Sequence, residues 1–307
     1  MIALLLALAV PLAAPADTTL PHYPGPVEAV EVGGRALAVY DTGGAGEPVV
    51  LVHGLGSNLS FWRATIPALE AAGRRVVALD LPGYGLSDKA DVSGTMADFA
   101  DAVAGVMDAR GVDQADLVGV SMGGQIALTL ALDRPARVRR LALLSPAGIE
   151  TFTDAEAAML KGLMTPAAIA ATPPAQAEAN VRANYSAYDA DRDGWILEQR
   201  AAVTARDDVP DYAAANAASV AGMLDGPVHA RLGGVAAPTL VVFGADDALI
   251  PNRYLHPALS TAAVAEAARA IPNAEVHLVS GAGHLVMLER PDTVNALLVG
   301  FLAEPAD

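Results

Sequence analysis

The chain contains no cysteine, which excludes disulfides, thiolate zinc sites, cysteine nucleophiles and lipid attachment at cysteine. Basic residues are scarce: 19 Lys and Arg stand against 35 Asp and Glu, a formal net charge of −16. Nucleic acids and anionic membranes both select basic surface, so neither is expected as a partner. The apolar run over 2–14 is too short to span a bilayer as a helix, and no internal repeat is present.

What is there points to a folded, soluble protein. With 307 residues, 53% of them hydrophobic, the chain can bury a sizeable core in one large domain or two modest ones. The apolar start ends at Ala14-Pro15-Ala16, a small-x-small pattern that fits cleavage before Asp17. No Lys or Arg precedes the run, so only the amino terminus is positive there. Residues 1–16 are expected to be a cleaved signal peptide. The mature protein is then exported, periplasmic or secreted, without stable membrane insertion. An uncleaved anchor and a buried N-terminal helix are the competing readings.

Beyond it, strand-like runs at 27–32 and 36–40 flank Gly33-Gly34, a hairpin signal. Further runs at 48–52, 75–80, 116–120, 138–144, 238–243 and 275–279 alternate with helical stretches at 60–72, 95–110, 125–132, 257–270 and 291–302. Several of these strands are apolar throughout, as expected when both faces are buried, and the alternation predicts a doubly wound parallel sheet. Between 147 and 227 the rhythm breaks into alanine-rich, helical sequence punctuated by Pro173-Pro174. The expected organisation is an α/β core over 17–146 and 228–307, with a helical insertion at 147–227.

The apolar run into Val120 is followed by Ser121, Met122, Gly123 and a helical stretch. Gly119-Val120-Ser121-Met122-Gly123 is a Gly-x-Ser-x-Gly pattern at a strand-to-helix turn, the arrangement that exposes a serine hydroxyl at a helix N-terminus. Side chains at Gly119 and Gly123 would collide in such a turn. Two more polar residues follow strand ends: Asp247 after 238–243 and His284 after 275–279. In open parallel sheets ligands sit beyond the carboxyl ends of the strands, so Ser121, Asp247 and His284 fall on one rim, expected to be reached by solvent. A serine hydroxyl is a weak nucleophile until a base takes its proton. Histidine can do that and return the proton to the leaving group, and a buried carboxylate fixes the histidine tautomer. Asp246 is the rival acid, and since adjacent side chains at a strand end point apart, only one of the two can face the histidine.

These residues, with His53-Gly54, the Asp80-x-Pro82-Gly83-x-Gly85-x-Ser87 turn, Gly244-x-x-Asp247 and Gly283-His284, resemble the α/β-hydrolase superfamily in its capped esterase and lipase-like branch. The resemblance covers roughly 28–146 and 228–303. The family spacing it implies favours Asp247 over Asp246 as the acid. It implies a helical cap, an oxyanion hole from the backbone N–H groups of Leu55 and Met122, and a structural role for His53 in shaping the loop at Gly54. Phe61 and Trp62 read as core. The stretch between Asp247 and His284 is several residues longer than the family usually has, around 255–263, so the pocket rim is expected to differ. Relatives acting on epoxides or haloalkanes carry Asp at the elbow, where this chain has Ser121.

Inside the insertion, Asp189-Ala190-Asp191-Arg192-Asp193-Gly194 resembles the first half of a calcium loop, with Asp189, Asp191 and Asp193 as candidate ligands. The twelfth position, where a bidentate acid belongs, is Arg200, and Glu198 is two positions early. The other reading is an acidic helix-capping turn. No other cofactor is expected. The function expected is a serine hydrolase cleaving small to medium apolar carboxylic esters through an acyl-enzyme. The alternatives are a carbon–carbon bond hydrolase or cofactor-free haloperoxidase with the same triad, and a non-catalytic ligand-binding scaffold.

Overall fold

In the computed structural model, which describes residues 19–303, the apolar runs become the middle of a sheet. The strands are β1 (Glu28–Val32), β2 (Arg35–Asp41), β3 (Pro48–Val52), β4 (Arg75–Leu79), β5 (Ala115–Val120), β6 (Val138–Leu144), β7 (Thr239–Gly244) and β8 (Ala274–Val279). Their order is β1-β2-β4-β3-β5-β6-β7-β8. β1, β2 and β4 pair antiparallel, and every pair from β4 to β8 is parallel. Successive side chains of β3 enter opposite apolar layers: Val49 and Leu51 one, Val50 and Val52 the other. That two-sided burial is why the run reads as continuous rather than alternating. Gly33 and Gly34 take φ of 59° and 81°, the mirror-image turn that joins β1 to β2 in register.

The helices are α1 (Thr65–Ala71), α2 (Met96–Ala109), α3 (Met122–Asp133), α4 (Asp154–Leu163), α5 (Pro166–Ala170), α6 (Pro174–Arg182), α7 (Ala190–Asp193), α8 (Trp195–Thr204), α9 (Val209–Asp225), α10 (Thr261–Ala267), α11 (Val286–Glu289) and α12 (Pro291–Ala303). α2 and α3 cover one face of the sheet through Phe99, Val103, Met107, Ile126 and Leu130. α1 and α12 cover the other through Ile66, Leu69, Val294 and Leu298. The helix expected over 60–72 divides. Asn58 caps a short 3-10 turn at Leu59–Trp62 by accepting from Ser60 N, and α1 starts afresh at Thr65, with Pro67 in the first turn, where no N–H donor is needed. The helix expected over 257–270 starts only at Thr261, where Ser260 Oγ accepts from Ala263 N.

Between β6 and β7, α4 to α9 form a helical segment with no strand among the described residues. Thr153 and Glu156 close a capping box at the start of α4, yet neither α4 nor α5 buries a side chain. Among the described residues no helix is long and apolar enough to cross a membrane. The signal peptide expected over 1–16 lies outside the described residues.

Candidate active site

Ser121 sits between β5 and α3 with φ 55° and ψ −121°, a conformation that side-chain-bearing residues rarely adopt. Its N–H donates to Leu144 O on β6 at 3.0 Å. The glycines around it are required by contact: a Cβ on Gly119 would stand 2.3 Å from Gly123 O, and one on Gly123 would stand 2.1 Å from Val52 O. Gly54 faces the serine, where a Cβ would come within 3.1 Å of Ser121 Cβ. The first backbone donors in α3 are Gly124 and Gln125, both bonding to Ser121 O. The Met122 N–H is therefore left over at the helix start, where partial positive charge collects. Leu55 lines the same cavity as Ser121, while the Met122 side chain is fully buried.

His284 Nδ1 bonds to Asp247 Oδ2 at 2.8 Å. The carboxylate cannot donate, so the ring proton is on Nδ1 and Nε2 is free to act as base. Asp247 Oδ1 accepts from Leu249 N at 2.8 Å and Ile250 N at 3.0 Å, which orients the carboxylate. Asp246 is exposed and takes a hydrogen bond from Ser186 Oγ instead. The expected solvent-reached rim is less open than the sequence suggests. Ser121 is half-buried, but His284 is buried and the Asp247 side chain has no exposure, because the helical segment lies against them.

His53 is fully buried and does not line the cavity. Burial pushes its pKa down to about 4, so the ring is neutral. Nδ1–H then donates to Gly54 O at 2.8 Å, and Nε2 accepts from Leu81 N at 3.0 Å. Asp80, pushed up to about 6 by burial, accepts from Leu59 N, Leu86 N and the Tyr23 hydroxyl. Together His53 and Asp80 tie the loop after β3 to the loop after β4, so the Leu55 N–H is carried by a fixed backbone. Phe61 lines the cavity, whereas Trp62 is wholly core.

The cavity above Ser121 and His284 has a volume of about 1030 Å³. Leu163, Ile169 and Val181 give it an apolar wall, and Leu249 stands on the rim from the long loop after Asp247. That loop, over 250–260, forms no helix or strand and is fastened to the stretch before α4 by Glu150, which accepts from Asn252 N and pairs with His256. Among the described residues one Lys or Arg faces the same space. Arg200 on α8 lines the cavity beside Gly56 and, among the described residues, makes no ion pair, unlike Lys161, Arg182 and Arg192 of the same segment. Sequence reasoning met Arg200 only as the wrong residue for a calcium loop. Its local sequence gave no signal, since the positions one turn away are Ile196, Leu197, Val203 and Thr204, apolar and polar alike.

Two of the three candidate calcium donors are committed elsewhere, and the third, Asp191, is exposed. Asp189 Oδ1 accepts from Asp191 N and Arg192 N, capping α7. Asp193 is buried against the Arg192 guanidinium and the Asp189 N–H. No group of three His, Asp or Glu side chains suited to a metal occurs among the described residues. In the structure the segment forms the capping turn. The melting temperature in millimolar calcium is expected to equal that in chelator, since a ligand without a site adds no linkage stabilisation. A rise of several degrees would restore the metal reading.

The family model for the alpha/beta hydrolase fold matches residues 47–291. Over 285 residues the chain is 35% identical to the dihydrolipoyllysine-residue acetyltransferase component of an acetoin cleaving system from Pseudomonas putida, covering 91% of this chain and 70% of that one. It is 33% identical over 293 residues to 2-hydroxymuconate semialdehyde hydrolase from Pseudomonas sp. (strain CF600), covering 91% and 96%. The crystal structure of the enol-lactonase from Burkholderia xenovorans aligns with a TM-score of 0.73 at 26% identity, over 90% of this chain and 100% of that one. A match over most of the chain, on the sheet order and elbow described above, makes this protein a member of the alpha/beta hydrolase fold family.

Proposed function

We propose that this hydrolase cleaves a carbon–carbon bond beside a ketone in a substrate that carries a carboxylate. Ser121 is the nucleophile, His284 the base and Asp247 its orienting acid, and the N–H groups of Leu55 and Met122 receive the oxyanion. The observation that carries the bond type is the unpaired Arg200 guanidinium in an otherwise largely apolar cavity. Ester and carbon–carbon cleavage begin alike, with addition to a carbonyl, and differ in what leaves. An ester expels an alkoxide that His284 can protonate directly. A carbon leaving group departs only if its charge spreads through a conjugated chain to a remote oxygen, and a cation at that end lowers the barrier. The likeness to 2-hydroxymuconate semialdehyde hydrolase, named for a conjugated carboxylic acid, supports the same reading. Cleavage of small to medium apolar esters stands second, supported by the likeness to an enol-lactonase and by the wall of Leu163, Ile169 and Val181.

Arg200→Gln separates the two. On a 2-hydroxy-6-oxo-dienoate, followed by loss of its conjugated absorbance, kcat/KM is expected to fall about 10- to 100-fold, the worth of a hydrogen bond to a charged group. On p-nitrophenyl butyrate it should stay within about threefold. Equal losses on both, or a wild-type enzyme that turns over only the ester, would overturn the carbon–carbon reading in favour of ester cleavage.

A further inference from the structure

We propose that Glu289 is a positioning residue that clamps the helical segment onto the His284 loop, so that residues 184–187 complete the scaffold of the base. This rests on Ser121 and His284 acting as nucleophile and base. Glu289 lies in α11, five residues after His284, and is 4% exposed. Among the described residues no cation comes within ion-pair distance of its carboxylate, although Arg192 lies close enough to feel its charge. Its hydrogen-bond partners are all backbone N–H groups: Gly283 at 2.6 Å, Ser186 at 3.0 and 3.1 Å to the two oxygens, and Ala187 at 3.1 Å. A buried carboxylate is tolerated only when fully hydrogen-bonded, and these donors come from two segments about a hundred residues apart in sequence. The charge therefore holds them at one distance.

What is held is the base itself. Asn184 O accepts from His284 N at 2.8 Å and from Leu285 N at 3.3 Å. Ser186 Oγ donates to Asp246, next to the triad acid, and Arg192 donates to Ala187 O at 2.7 Å from the far side. The approach leaves no slack, because a Cβ on Gly283 would stand 2.6 Å from Ser186 N and 2.7 Å from Asn184 O. Glu289→Gln keeps the shape but turns an amide NH₂ toward N–H donors, which pushes the segments apart. A shift of about 1 Å at a catalytic group costs on the order of a hundredfold in rate.

The test uses the full chain and a fluorophosphonate that labels the nucleophilic serine, a reaction indifferent to which bond the natural substrate breaks. In Glu289→Gln the labelling rate of the folded fraction is expected to fall about 10- to 100-fold, with KM for p-nitrophenyl acetate within about threefold of wild type. Glu289→Asp, which keeps the charge on a shorter stem, should fall between. A residue with only a structural role would lower the melting temperature and leave the labelling rate of folded protein unchanged, and that outcome overturns the clamp. Hydrogen exchange on the wild-type protein decides the case in which the variants do not fold. The amides of Gly283, Ser186 and Ala187 should open together with that of His284, and independent opening of 186–187 overturns the proposal. A wild-type enzyme that resists the probe would instead remove the nucleophile assignment, and the clamp would still be judged by exchange.

Discussion

Ser121→Ala and His284→Ala should each lower turnover of an activated ester by about a million-fold, and the double variant by little more. The serine oxygen is useless as a nucleophile without a base to take its proton, and the base has no proton to move without the serine. Removing either therefore removes the same step. A residue of activity should survive through the proposed oxyanion donors, Leu55 and Met122, whose N–H groups belong to the backbone and outlast both substitutions. The two variants should differ in stability. The Ser121 hydroxyl makes no capping bond, so its loss costs the fold nothing that the structure shows. His284→Ala strips a hydrogen-bond partner from a carboxylate with no exposure, which costs about 1–3 kcal/mol. Steady-state kinetics with circular dichroism on the three variants is the measurement. A folded Ser121→Ala enzyme that keeps more than about a hundredth of wild-type activity would sink the assignment, since the residue left by the oxyanion donors is far smaller.

The second large effect belongs to the acid. Asp247→Asn is nearly isosteric, and its side-chain oxygen can still accept from Leu249 N and Ile250 N. Its NH₂ then faces His284 Nδ1, which must become the acceptor, and the ring proton moves to Nε2, where a base is needed. The loss in turnover should approach four orders of magnitude with the fold retained. Asp246→Asn keeps an acceptor for Ser186 Oγ and leaves the His284 bond untouched, so it should cost no more than a few-fold. Comparing kcat for the pair of variants is enough, because a larger loss at Asp246 would mean that the imidazole partner in solution is the other carboxylate.

The parts of this site that could be read from sequence are those where backbone geometry forces residue choice. Gly119 and Gly123 were legible because the turn has no room for a Cβ, and the sheet because a doubly buried strand such as β3 must be apolar throughout. Asp247 over Asp246 followed from the spacing of the family that the chain resembles, whereas the alternation of side chains says only that the two point apart. The segment over 147–227 was legible as helical, but not in how its helices face the core. α4 and α5 bury nothing, so alanine-rich sequence there carries no apolar stripe to say which side faces the core. Arg200 and Glu289 were missed for a related reason. Their partners are a cavity and backbone N–H groups, of which those of Ser186 and Ala187 lie about a hundred residues from Glu289, and neither leaves a local pattern. Bond type was where the sequence pointed to esters first. The residues assigned to the shared addition step are well marked by motifs, whereas Arg200, the cation proposed to bear on the leaving group, sits in unpatterned helix.

The left-handed backbone at Ser121 also has a thermodynamic side. A non-glycine residue in such a conformation costs about 1–3 kcal/mol, against a net stability of about 5–15 kcal/mol for a typical domain. Every folded copy carries that penalty so that one hydroxyl stands clear of the chain. It persists because the bonds from Ser121 N to Leu144 O and from Gly124 and Gln125 to Ser121 O over-determine the turn. Activity in this protein is thus bound to the cohesion of β5, β6 and α3. Substitutions that loosen those elements should let the elbow relax, and the enzyme lose its nucleophile, while most of the molecule is still folded.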